Sequence, residues 1–307
     1  MKISVIGAGN VGGLAASRIA AEKLGDVYLI DIAPGLARAK AFDNDDSRAL
    51  LQRDFSITGS EDLKDIKGSD IIVVTAGLAR KPGMTREDLL QKNCAILDGI
   101  SQHILTMAKD AIVIMVTNPL DAMTYFMLKK LRFDRSRVFG MGITLDSSRF
   151  ANLISKDLLI PVTDIQACVI GSHGETMLPL PRLTRVKGKD LTQLADLEKV
   201  AALVESTIAR GKEIVSLYGS GSAYYAPSAA IAQIVRAVAT DQRISIGVSA
   251  YVKGEYGFKD ICIGLPCIIG KKGIEKVVDL GLNPAEQEQL TASVDSIRQL
   301  VKLLPNV

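Results

Sequence analysis

The chain reads as α/β, with a doubly wound parallel sheet followed by a mixed α+β domain, and three observations predict this. A short apolar strand, Lys2 to Ile6, runs straight into Gly7-Ala8-Gly9-Asn10-Val11-Gly12 and then into an Ala-rich helix. A second strand, Val27 to Ile30, ends on Asp31, about 20 residues beyond the glycines. Strands and helices then keep alternating with short connections, the rhythm of a parallel sheet covered on both faces.

The first unit is a dinucleotide site of the Rossmann type. Val11 to Lys23 keeps an apolar face at helical spacing through Val11, Leu14, Ala15 and Ile19. Gly7 allows the tight turn, Gly9 lets backbone N–H groups reach a pyrophosphate, and Gly12 lets helix and strand pack closely, with the anion at the helix N-terminus. Asp31 is placed to bind both ribose hydroxyls. A 2′-phosphate would meet a like charge there, so NAD is the expected cofactor.

After Asp31, Pro34 can start a helix through Ala41, and Phe55 to Thr58 reads as a short strand before the acidic turn at Glu61-Asp62. Asp70 to Thr75 is too apolar to have a wet face, the mark of a parallel strand buried on both sides. Leu78 to Arg86 is punctuated by Pro82 and Gly83 and carries three cations and no acid, which makes it a loop and a candidate lid. A long helix is expected from Glu87, with Leu89, Leu90, Ile96, Leu97, Ile100 and Ile104 as its apolar positions. Strand Ala111 to Val116 follows, then Thr117-Asn118-Pro119, where the proline can open the next helix. Val138 to Met141 is the last strand of this half, and Gly140-Met141-Gly142 marks the hand-over. The expected partition is residues 1–142 and 143–307. In such a sheet the ligand lies across the carboxyl ends of the strands.

The second half opens with a helix, Thr144 to Leu153, that puts Asp146 and Arg149 on one face at i and i+3. Strand Ile165 to Ile170 delivers Gly171-Ser172-His173-Gly174-Glu175. Helices are expected over Asp196 to Tyr218 and Pro227 to Thr240, and an antiparallel pair over Ile244 to Val252 and Ile261 to Ile269. Asn283-Pro284-Ala285-Glu286 starts a final helix, with a cap residue, proline at the first helical position and an acid three residues after the cap.

Composition bounds the function. A length of 307 residues suits two domains of ordinary size, and 48% apolar with 23% charged residues is globular usage. No apolar run approaches the ~20 residues of a membrane span, and a strand starting at Lys2 leaves no room for a signal peptide, so a cytoplasmic location is expected. The net charge of +3 is small for the length, and no basic cluster is interleaved with aromatics, which argues against nucleic acid as a partner. Cys94, Cys168, Cys262 and Cys267 lack the usual zinc spacing and are expected to be buried thiols, with no metal site.

His103 falls within the long helix, where a packed or surface role is expected. His173 sits on a loop after a strand, and an imidazole with a pKa of about 6.5 exchanges protons with an alcohol near neutral pH. Such a histidine wants a carboxylate behind it, for which Asp146 is suited. Arg149 could fork onto a substrate carboxylate. Tyr125 and Lys129 have the Y-x-x-x-K spacing of another dehydrogenase class, but they lie in an apolar helix and are expected to be core. A nucleotide-binding scaffold without catalysis is the other alternative; intact His173, Asp146 and the arginines argue against it.

The segments Gly7 to Gly12, Asp31, Ala79 to Arg86, Val116 to Pro119, Leu145 to Phe150 and Gly171 to Pro179 together resemble the lactate/malate dehydrogenase family, in its lactate-dehydrogenase-like branch, over essentially the whole chain. The resemblance implies NAD-dependent hydride transfer to and from a small 2-hydroxy acid, without a metal. It implies His173 as proton donor and acceptor, Asp146 as its orienting acid and Arg149 as anchor of the carboxylate next to the reacting carbon. Arg86 would polarise the carbonyl, Asn118 would bind substrate and cofactor, and Asn93 with Val116, Thr117 and Asn118 would line the nicotinamide side. An arginine at Arg80 is similar to the malate-specific pattern, since it pairs the second carboxylate of oxaloacetate. Ser172 and Glu175 depart from a common glycine and aspartate. The family precedent for assembly is a homodimer or homotetramer.

Overall fold

The structure is a computed structural model that describes residues 1–78, 85–219 and 221–305, and of Arg86 the backbone alone. The first half runs β1 (Lys2–Ile6), α1 (Asn10–Ala21), β2 (Asp26–Ile30), α2 (Leu36–Leu51), β3 (Ile57–Ser60), β4 (Ile71–Val74), α3 (Arg86–Met107), β5 (Ile112–Met115), α4 (Leu120–Leu131) and β6 (Val138–Gly140). The second half runs α5 (Ile143–Leu158), β7 (Ile165–Gln166), β8 (Val169–Gly171), β9 (Met177–Pro179), β10 (Arg185–Val186), β11 (Lys189–Asp190), α6 (Leu197–Tyr218), α7 (Tyr225–Ala239), β12 (Ile244–Lys253), β13 (Lys259–Gly270), β14 (Gly273–Val277) and α8 (Pro284–Val301).

Strands β1 to β6 pair in parallel in the order β3-β2-β1-β4-β5-β6, with Ile3 beside both Val27 and Ile71. This is the Rossmann doubly wound sheet, and the strand alternation explains its two covers. Ile3, Val5, Val27, Leu29, Val73 and Ile114 pack toward α1 and α7, while Ile6, Ile30, Ile72, Val74, Val113 and Met115 pack toward α3 and α4. Every residue of β4 and β5 is buried, as strands with helices on both faces require. The sheet does not end with the first half. Gly140 of β6 pairs with Ser249 of β12, β12 and β13 form the expected antiparallel pair, and β13 continues through Gly264–Gly171 into β8.

Helix α7 comes from the second half yet covers α1, where Arg236 grips Glu22 with two hydrogen bonds of 2.6 and 2.7 Å and Arg18 donates to Ser228 at 3.1 Å. Caps set the starts of the long helices. Thr85 and Asp88 form a reciprocal capping box at α3, and Asn283 and Glu286 do the same at α8, with Pro284 in its first turn.

Four elements differ from the sequence expectation. Helix α2 starts after Pro34, at Leu36, and runs to Leu51, because its polar stretch from Asp43 to Ser47 can lie on solvent. Strand β3 is shifted to Ile57–Ser60, where Gly59 leaves room for the backbone of Ala37 and Arg38. The single strand expected over Ile165 to Ile170 is two strands in different sheets, since Cys168 turns to bond Thr184 and Leu180. Pro119 is the cap of α4 rather than its first residue, after a cis Asn118–Pro119 bond.

The thiols of Cys94, Cys262 and Cys267 are buried and that of Cys168 is partly exposed. Burial pushes Cys94 up to about 11 and Cys168 and Cys267 up to about 12, so none is poised as a thiolate. Among the described residues, no helix is long and apolar enough to cross a membrane.

Candidate active site

The glycine turn is shaped by what surrounds it. Gly7 has φ +105°, and a Cβ there would lie 2.6 Å from Thr75 Oγ1 and 2.7 Å from the Ala76 nitrogen. A Cβ on Gly12 would collide with the Gly7 carbonyl oxygen, whereas one on Gly9 would meet nothing within 4 Å. Gly7 and Gly12 therefore serve the turn and the helix–strand contact, and Gly9 keeps an open side. Gly9 caps α1 without a side-chain hydrogen bond, which leaves the N–H groups of Asn10 and Val11 at a helix terminus suited to an anion. Asp31 Oδ2 accepts the Ala8 N–H at 2.6 Å and its Oδ1 accepts that of Ala33 at 2.9 Å. The carboxylate is thus locked at the end of β2, beside the turn. These features fit a dinucleotide.

Across the sheet edge lies the second cluster. Asp146 is in the first turn of α5, where the helix dipole favours an acid, and it is fully buried. Its Oδ2 is 2.7 Å from His173 Nδ1 and its Oδ1 is 3.1 Å from Arg149 Nη1. One carboxylate serves both groups. Burial acts against a charged His173, but the Asp146 charge and hydrogen bond, with the Asp121 charge behind them, outweigh it and raise the imidazole above its ordinary value despite Arg149. Gly142 makes room: a Cβ there would sit 2.7 Å from Leu120 Cδ2 and 3.4 Å from His173 Cβ.

The histidine loop is held from below by residues that sequence reasoning missed. The His173 N–H donates to Asp121 Oδ2 at 2.9 Å, and Asp121 Oδ1 accepts the Ser249 hydroxyl at 2.6 Å. Burial pushes the Asp121 carboxyl up, against those two hydrogen bonds. Ser172 N donates to Ser293 Oγ of α8 at 2.8 Å, and Ser172 Oγ is 2.7 Å from Thr176 Oγ1. The signal for Asp121 was an acid just after Asn118-Pro119 in an otherwise apolar helix.

Between glycine turn and histidine lies a cleft of 560 Å³ lined by Val11, Val116, Thr117, Asn118, Arg149 and His173, among others. Asn93 is fully buried beneath it: its Oδ1 accepts the Leu78 N–H at 2.8 Å and its Nδ2 donates to the Asn118 carbonyl at 2.7 Å, bracing two loops. Arg80 lies outside the described residues, as do the Arg86 side chain and most of the expected lid. Tyr125 and Lys129 point elsewhere, onto Asp260 at 3.2 and 2.6 Å, and His103 bonds the Gly99 carbonyl of its own helix at 3.0 Å.

Fold and cleft together define the class, an oxidoreductase that works with NAD. Residues 1–140 match the lactate/malate dehydrogenase NAD binding domain and residues 143–304 the lactate/malate dehydrogenase alpha/beta C-terminal domain. The chain is similar to the malate dehydrogenase of Methanosarcina barkeri, 45% identical over 303 residues that cover 99% of each protein. It is also similar to that of Bacillus subtilis, 42% identical over 306 residues, 99% and 98% of the two. Among solved structures, the apo malate dehydrogenase of Picrophilus torridus superposes with a TM-score of 0.95 at 40% identity, covering 98% of this chain and 96% of that one. The lactate dehydrogenase of Cryptosporidium parvum complexed with lactic acid and NAD gives 0.95 at 35% identity, covering 100% and 98%. The chain belongs to the lactate/malate dehydrogenase family.

Proposed function

We propose that this protein is an NAD-dependent malate dehydrogenase that interconverts (S)-malate and oxaloacetate. The observation that carries the mechanism is the Asp146 carboxylate shared between His173 and Arg149. Nδ1 of His173 is held by that carboxylate, which leaves Nε2 to give a proton to the carbonyl oxygen of oxaloacetate or take one from the hydroxyl of malate. Asp146 orients the ring and stabilises its charged form. Arg149 carries the guanidinium that pairs the carboxylate next to the reacting carbon, so the substrate anion and the proton donor are registered by one buried acid. Arg86 polarises the carbonyl and Arg80 pairs the second carboxylate. Asn118, braced by Asn93, binds substrate from the cofactor side, where Val116 and Thr117 also lie.

When bound, NAD supplies the acceptor for the hydride leaving C2 of malate. Gly7, Ala8, Gly9, Asn10, Val11 and Gly12 would hold its pyrophosphate, and Asp31 its adenosine ribose. The partner is thus a small dicarboxylate rather than nucleic acid or membrane. The family resemblance implies a homodimer or homotetramer.

A lactate dehydrogenase is the competing assignment, favoured by the solved relative at 35% identity. Absorbance of NADH on adding oxaloacetate or pyruvate separates the two. Turnover with oxaloacetate well above that with pyruvate, falling about 10²-fold or more in His173→Asn, is expected. Preference for pyruvate, or retained turnover in His173→Asn, rules the proposal out.

A further inference from the structure

Lys40 of α2 reaches the glycine turn from outside it. Its Nζ donates to the Gly9 carbonyl at 3.1 Å, at the N-cap of α1. Its stem lies along Gly13, where an added Cβ would be 2.9 Å from Lys40 Cδ and 3.0 Å from Nζ. Glycine inside a helix costs backbone entropy, and at Gly13 it opens the path by which the lysine arrives. The placement runs against the local electrostatics. An ammonium at a helix N-terminus is disfavoured by the macrodipole, α1 carries no acid in its first turn, and among the described residues no carboxylate pairs with Lys40. Asp31, the acid at the end of β2, is taken up by the Ala8 and Ala33 N–H groups.

A cation held at a helix start without a counter-charge calls for an anion. The space is there as well, since a Cβ on Gly9 would meet nothing within 4 Å. We propose that Lys40 is a further cofactor-binding residue: its ammonium pairs with the pyrophosphate of NAD, a charge that α2 adds to the backbone N–H groups of the turn. A hydrogen bond from a charged donor to a phosphate is stronger than one from a neutral amide. The bond to the Gly9 carbonyl keeps the ammonium at the turn before the cofactor arrives, so less side-chain freedom is lost on binding. The inference rests on the assignment of the Gly7–Gly12 turn to the pyrophosphate, and it brings into the site a helix that the glycine motif does not include.

The test is direct binding to the full-length protein, with Kd for NADH read by fluorescence and Kd for ADP and adenosine by ligand-observed NMR, at low and high salt. The proteins compared are wild type, Lys40→Met, Gly9→Ala and Arg38→Met. Arg38, an exposed cation of the same helix that lies over the Phe42 ring, is the control. Lys40→Met is expected to weaken NADH and ADP about tenfold, the scale of one charge pair at a partly solvated site. Adenosine, which has no phosphate, should bind as before. The loss should shrink with added salt, and Arg38→Met should bind like wild type. Equal losses for ADP and adenosine, or the same loss from Arg38→Met, would make Lys40 a tether between α1 and α2 and overturn the inference. Gly9→Ala fills the open side of the turn without a clash inside the protein, and it separates the two assignments. If Gly9→Ala loses NADH while Lys40→Met keeps it, the inference alone falls; if both bind NADH like wild type, the turn does not hold the pyrophosphate and that assignment falls too.

Discussion

His173 hangs from Asp121 by its backbone: the N–H donates to Oδ2 at 2.9 Å, while Oδ1 of the same carboxylate takes the Ser249 hydroxyl at 2.6 Å. Asp121 belongs to the first turn of α4, His173 to the loop after β8 and Ser249 to β12. One buried carboxylate therefore joins three elements beneath the proton donor, and its charge also raises the His173 pKa. In Asp121→Asn the shape is kept and the charge is lost. Turnover of oxaloacetate should fall about tenfold, the scale of ~1.4 kcal/mol, with NADH affinity little changed. The pH above which reduction fails should also move down. A variant with the wild-type pH profile would reduce Asp121 to a structural brace.

Asp146→Asn removes the largest influences that favour charged His173 and leaves burial, which opposes it. The imidazole should then titrate below its ordinary value of 6.5 rather than above it, and the alkaline limb of oxaloacetate reduction should shift to lower pH. Stability has a sign as well. A pKa raised by folding contributes stability that is full below 6.5 and is lost as pH rises through the folded value. Through this group the wild-type melting temperature should fall as pH rises from 6.5 to the folded value. Asp146→Asn should lose it, and identical Tm–pH curves would refute the coupling.

Asp31→Ser tests the ribose assignment. The carboxylate is held by Ala8 and Ala33 N–H groups, so the turn and the ribose contact should weaken together. Loss of a charged hydrogen bond is worth about 1.5–3 kcal/mol, and removing the negative charge should help NADP while NAD suffers. The ratio of kcat/KM for NAD and NADP is the readout; an unchanged ratio would show that Asp31 does not select the cofactor.

Arg80→Gln tests the choice of substrate. A closed cleft would leave the distal carboxylate of oxaloacetate facing a neutral group, and a loss of about 3 kcal/mol, roughly 10²-fold in kcat/KM, is expected. Pyruvate has no second charge and should hold or gain. Lys81→Gln controls for general charge. Equal losses on both substrates, or the same shift from Lys81→Gln, would place selection elsewhere.

Local signals carried much of this protein in its sequence. The turn at Gly7–Gly12 announces itself because its residues are consecutive and only glycine tolerates a φ of +105° at Gly7 at low cost. Buried parallel strands show as unbroken apolar runs, and Asp146 and Arg149 share a helix face by spacing alone. The split of Ile165–Gly171 between two sheets had no such signal, since an apolar run is equally suited to either sheet and long-range pairing decides.

The same division governs the site. Sequence determined which side chains have the chemistry, His173 as a base of suitable pKa and Asp146 and Arg149 as charges on one turn of helix. Only the tertiary structure decided that Asp146 meets His173 across 27 residues, that Asp121 reaches under its backbone from 52 residues away, and that Ser249 and Ser293 close the support. A buried carboxylate leaves no local pattern, because its partners come from packing; what places them there is the burial of sheet and helix faces, which brings separate segments within hydrogen-bond reach.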